Sequence, residues 1–87
     1  MYHKSNINYL IDEKDKKEKI TRSLKTLYYD TSPLVSKLAA IKYLGPILNT
    51  DPDLKEKFEF FYHKETDFYL RQKMASFLGI NQDSDLI

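Results

Sequence analysis

Two histidines and no cysteine are all this chain offers to chemistry that needs a thiolate, a soft metal ligand or a base titrating near neutrality. The spacing most like a metal site is Glu59, His63 and Asp67, each four residues on from the last, which would share one face of an unbroken helix. A structural zinc site takes four ligands and a catalytic one three with supporting partners. Thr66 interrupts the helical pattern ahead of Asp67, so the three are expected to part and stay solvated, and no metal site is assigned. His3 stands near the start of the chain and marks nothing further. No glycine-rich phosphate loop occurs, and no serine or threonine sits in a pattern that supplies it with a base. Carboxylates are plentiful, but spacing assigns none of them an acid–base role. The expectation is a protein that is not an enzyme, with no catalytic residues and no cofactor.

The elements that carry these residues are small in number. At 87 residues the chain fits one domain with a small core. Absence of cysteine is what a reducing compartment allows, which points to the cytoplasm. No apolar run approaches the ~20 residues needed to cross a bilayer, and the start Met1-Tyr2-His3-Lys4 does not lead into an unbroken apolar stretch, so neither secretion nor membrane insertion is expected. Fourteen basic residues stand against thirteen acidic ones, a formal charge of +1, which gives no general attraction to phosphate backbones. Only Arg22 and Arg71 are arginine, the residue suited to bidentate phosphate or base contacts.

Glycine and proline are rare and sit at helix boundaries, and no alternating apolar pattern suggests strands, so the chain reads as all-α. Ile7, Leu10 and Ile11 predict a short first helix after a cap at Ser5 or Asn6. The charge run from Asp12 to Lys19 reads as a solvated linker or helix face, with Asp15 placed to cap a second helix carrying the stripe Ile20, Leu24, Leu27 and Tyr28. Ser32 is expected to cap a third, with Pro33 in its first position and Leu34, Leu38, Ile41 and Leu48 on its buried side. Gly45-Pro46 should end or kink that helix. Thr50 and Asp53 suggest a capping box for the fourth, whose stripe is Leu54, Phe58, Phe61 and Tyr62. After a break at Glu65-Thr66-Asp67, Leu70, Met74, Phe77 and Leu78 form the last stripe, closed by Gly79 as a left-handed cap. Residues 1–80 make a single helical domain on this reading, and 81–87 a frayed tail.

Shifting the chain by 34 residues against itself pairs Leu44-Gly45 with Leu78-Gly79, Lys37 with Arg71, and Ile20, Leu24, Leu27 and Tyr28 with Leu54, Phe58, Phe61 and Tyr62. A period that covers helix, turn and helix is the mark of stacked hairpins. The later copy, with Asp67 in an acidic turn, Leu70-Arg71, Met74-Ala75 and Leu78-Gly79, resembles a HEAT-like repeat, and Lys37, Ala39-Ala40 and Leu44-Gly45 form the earlier one. Lys73 departs from the small residue of that pattern, and two units fall short of the three a solenoid usually has. The resemblance implies a stack of antiparallel hairpins that serves mostly as a protein-binding surface. The alternative is a small irregular bundle of four or five helices.

Seven tyrosines and five phenylalanines exceed what these stripes can bury. Tyr29, Tyr43, Phe60, Phe68 and Tyr69, with Arg71, are the candidate partner-binding residues, because aromatic and arginine side chains are enriched at protein interfaces. The expected function is a non-enzymatic interaction module, an inhibitor or accessory factor whose partner is another protein or a second copy. Two alternatives stand beside it. Arg71–Gln82 is similar to the first helix and turn of a helix-turn-helix motif, with Lys37, Lys42, Arg71 and Lys73 available to phosphates, but the recognition helix would have to be Asp83-Ser84-Asp85-Leu86-Ile87, which carries no base-reading cation. An immunity-type helical bundle shares the size and class.

Overall fold

Between Tyr2 and Tyr28 there is neither glycine nor proline, and opposite charges stand one helical turn apart at Glu13 and Lys17, Lys14 and Glu18, Asp15 and Lys19, and Glu18 and Arg22. Each such pair favours helix by a few tenths of a kcal/mol (~0.2–0.5). The computed structural model, which describes residues 2–80 and side chains from residue 13 onward, accordingly shows one helix, α1, over Tyr2–Tyr28. Of the two readings of the charge run, solvated linker or helix face, the structure shows the helix face, with residues 13–19 exposed; the separate short first helix and the cap at Asp15 are corrected, since Asp15 is interior to α1. The expected C-terminal tail, 81–87, lies outside the described residues.

The remaining elements are α2 (Leu34–Leu44), a 3-10 segment (Gly45–Thr50), α3 (Pro52–Lys64) and α4 (Phe68–Leu78). The fold is all-α, a small helical bundle with four α-helices and no strand among the described residues. Helix α1 packs on α2 and α3 on α4, while α2 also lies against α4 and the C-terminal part of α1 against α3.

Boundaries differ from the expected ones in instructive ways. Ser32 does not cap α2; Pro33 holds the N-cap position with extended backbone and no side-chain cap, and the Ser32 amide donates to Tyr29 O at 3.1 Å. At the start of α3 the cap falls one residue later than the Thr50 reading. Pro52 in the first turn forces the residue before it into extended backbone, so Asp51 takes the cap and its carboxylate accepts from Leu54 N at 3.2 Å. Thr50 instead donates its hydroxyl proton back to Ile47 O at 2.7 Å, closing the 3-10 turn. Asp67 caps α4 by accepting from Leu70 N at 3.0 Å. Gly79 ends α4 at φ 76°, with the Ile80 amide donating to Ala75 O and the Gly79 amide to Ser76 O, the pairing of a left-handed C-terminal motif.

Gly45 and Gly79, equivalent under the 34-residue shift, do different work. Gly45 is right-handed and buried, and a Cβ there would run into the Phe77 ring. Here α2 passes into the 3-10 segment without a break, and the missing side chain lets α4 lie close to it.

The core is built from Leu27 of α1, Ala40, Ile41 and Leu44 of α2, Leu48 of the 3-10 segment, Leu54, Phe58 and Tyr62 of α3, and Leu70, Met74 and Ala75 of α4. Ile20, Leu24 and Phe61 pack on its edge. Three residues of the expected stripes are instead exposed: Tyr28, at the last position of α1, Leu34, at the first of α2, and Phe77, near the end of α4, whose ring lies over Gly45.

Candidate interaction surface

Helix α2 is fixed by a charge that the helical pattern had placed at the surface. Lys37 is only 7% exposed, and its ammonium lies 3.5 Å from Glu65 Oε1, in the α3–α4 turn. The other oxygen of Glu65 accepts from the Thr66 and Asp67 amides at 3.1 and 2.9 Å. One carboxylate thus shapes the turn that starts α4 and holds α2 against it. A second lysine acts at the same end of the first hairpin, beside the α1–α2 connection. Lys64 donates to Tyr28 O at 3.0 Å, satisfying a carbonyl left over at the end of α1, and lies 5.0 Å above the Tyr28 ring and 3.6 Å from Asp30.

With α2 and α4 so held, their first turns leave a shallow hollow of about 210 Å³ bordered by Leu34, Val35, Leu38, Asp67, Tyr69 and Leu70. Leu34, Val35 and Tyr69 are 56%, 80% and 51% exposed. Asp67, the charged residue among them, already holds the Leu70 amide. Lys73 reaches across the Tyr69 ring at 5.6 Å, leaving its cation at the rim of an apolar surface.

The six aromatic and arginine candidates are scattered around the molecule. Tyr69 borders the hollow, and Phe68, beside it in the chain, is exposed. Tyr29 is exposed at the end of α1, edge-on to Tyr28 at 5.2 Å. Phe60 is exposed on α3 and meets Phe61 edge-on at 5.5 Å. Tyr43 is half-buried in a separate groove between α1 and α2. Arg71 is turned into the fold, donating to Glu65 O at 3.3 Å and lying 4.7 Å above the Tyr62 ring. Leu34 and Val35 were missed: Leu34 fits the core stripe by spacing, and only the off-stripe position of Val35, so close behind Pro33, hinted at an exposed apolar pair.

Glu59 and His63 are in α3 and Asp67 caps α4 beyond the turn; among the described residues no three acidic or histidine side chains come together as a metal site would require. No described helix is long and apolar enough to cross a membrane. Of the four cations proposed for phosphates, Lys37 is buried, Arg71 lies on Tyr62 and Lys73 on Tyr69, while Lys42 is exposed on α2. The recognition segment of the helix-turn-helix reading falls outside the described residues.

The class defined by these features is a small four-helix domain with an apolar surface where α2 meets α4. Comparison with protein families, with curated proteins and with solved structures returns no match.

Proposed function

We propose that this protein is a non-enzymatic interaction module, an inhibitor or accessory factor that works by docking its α2–α4 face on a partner protein in the cytoplasm. The observation that carries the reading is the grouping of Leu34, Val35 and Tyr69, each more than half exposed, around one hollow. Apolar side chains clustered about a depression, with a tyrosine that brings both area and a hydroxyl, are what the central anchor of a protein interface consists of. The order of packing, hairpin α1–α2 on hairpin α3–α4, suits a two-unit HEAT-like stack, the architecture whose resemblance implies protein binding. Lys37 and Arg71, engaged within the fold, favour a protein partner over a nucleic acid.

The test is affinity capture combined with light scattering, using the full chain and the variant Leu34→Ser, Val35→Thr, Tyr69→Ser. These positions are exposed, so the helical spectrum and melting temperature should survive. Wild type should hold a partner at a fixed stoichiometry, or a second copy of itself, and the triple variant should lose it. Phe60→Ala, on α3, should retain it. Equal retention by the triple variant, or a monomeric wild type that captures nothing stoichiometric, overturns the reading.

A further inference from the structure

On the side of α2 away from α4, a groove of about 450 Å³ runs between α1 and α2. Its polar lining is Lys19, Arg22, Ser23 and Thr26 from α1 and Ser36 and Tyr43 from α2. None of these is a carboxylate, and among the described residues neither Lys19 nor Arg22 has a carboxylate within ion-pair distance. Asp15 and Glu18 precede the two cations by one turn of α1 but do not line the groove. Thr26 donates its proton to Arg22 O at 3.1 Å; the hydroxyls of Ser23, Ser36 and Tyr43 have no such acceptor among the described residues. Ala39 and Ala40, small residues of α2, complete the lining.

We infer that this groove binds a phosphoryl monoester carried on a serine or threonine of the partner protein. An ammonium brings three donors and a guanidinium five, and three hydroxyls add to them. A carboxylate presents two oxygens, whereas a phosphoryl monoester presents three strong acceptors and a charge of about −1.5 to −2, which matches the two cations that line the groove. The position supports a protein-borne source. Val35 and Ala39 are exposed one turn apart on α2, between the apolar hollow on one side and the groove on the other. A single chain lying across α2 reaches both, so the inference rests on the docking reading and extends it.

The experiment is an amide-shift titration of the full chain by NMR with a pentapeptide bearing phosphoserine between glycines, its unphosphorylated form, inorganic phosphate and a thymidine oligonucleotide. Saturable shifts at Lys19, Arg22, Ser36 and Tyr43 are expected with the phosphopeptide, weaker ones with phosphate, and none with the unmodified peptide. Lys19→Gln with Arg22→Gln should weaken phosphopeptide binding by at least about tenfold, the loss of charge-assisted bonds to one ligand. Lys17→Gln with Lys25→Gln, an equal change of charge outside the groove, should alter it by less than about threefold. Absence of saturation, equal losses in the two double variants, or phosphate bound as tightly as the peptide overturns the proposal. Tighter binding of the oligonucleotide overturns it in favour of nucleic acid. The triple variant at Leu34, Val35 and Tyr69 should leave these shifts intact, so loss of the docking reading is separable from loss of this one.

Discussion

Removing either partner of the Lys37–Glu65 pair should destabilise the protein, and by unequal amounts. Glu65→Ala leaves the charge of the buried Lys37 without its counter-charge and strips the Thr66 and Asp67 amides of their acceptor. Breaking a buried pair by deleting one member costs about 3–5 kcal/mol, most of it from the stranded charge. Lys37→Met is milder, because Glu65 keeps both amide donors and the methionine stem still fills the space of the lysine's methylenes; roughly 1–3 kcal/mol is expected. The double variant Lys37→Met, Glu65→Gln strands no charge, and a glutamine oxygen can go on accepting from the turn amides, so it should be more stable than Glu65→Ala. Urea unfolding followed by far-ultraviolet circular dichroism gives all three values, and a double-mutant cycle isolates the coupling. For a small domain with about 5 kcal/mol to lose, Glu65→Ala should sit close to its unfolding midpoint in buffer. If Lys37→Met proves as damaging as Glu65→Ala, or if both cost under about 0.5 kcal/mol, the carboxylate does not unite turn and helix as described.

Gly45→Ala sets helix propensity against packing. Propensity alone favours alanine by about 1 kcal/mol, but the new methyl meets the root of the Phe77 ring, and overpacking costs about 1–3 kcal/mol. Net destabilisation is expected, reversed to neutral or stabilising when Phe77→Ala is already present, as thermal unfolding of the four proteins would show. At the start of α3, Asp51→Ala should cost about 1 kcal/mol and Thr50→Ala less than about 0.5, measured by the urea midpoint; the opposite order would return the cap to Thr50.

How far these features were legible beforehand depends on the range of the forces behind them. The left-handed Gly79, the break at Glu65–Asp67 and the stripe Leu54, Phe58, Tyr62 follow from conformational freedom and helical period, which neighbours in the chain decide. The Asp12–Lys19 run left linker and helix face both open because polarity alone fits either, while the spacing of opposite charges one turn apart favours the helix that forms. Asp51 displaced Thr50 because proline constrains the residue before it more strongly than a capping box attracts. Lys37 was invisible for a different reason: its burial depends on a carboxylate 28 positions away, and no local pattern records that pairing. Leu34 obeyed the stripe and still lay open, since period tells which face turns inward and not where the covering helix stops.

These long-range contacts also connect the two surfaces. Helix α2 carries Leu34 and Val35 toward α4 and Ser36 and Tyr43 toward α1, so any rotation of α2 about its axis moves the hollow and the groove in opposite senses relative to their other walls. The backbone of α2 begins without a side-chain cap, and its first turn is exposed at Leu34, Val35 and Ser36. What resists rotation there is Lys37, gripped by the same carboxylate that shapes the start of α4. The hollow and the groove should therefore fail together when Glu65 is removed, even under conditions where the helices persist. A Glu65→Ala protein, stabilised with an osmolyte until its circular dichroism matches wild type, should lose both phosphopeptide shifts and partner capture. Retention of either one alone would mean that α2 is positioned by its apolar contacts through Ile41 and Leu44, with the ion pair a passenger.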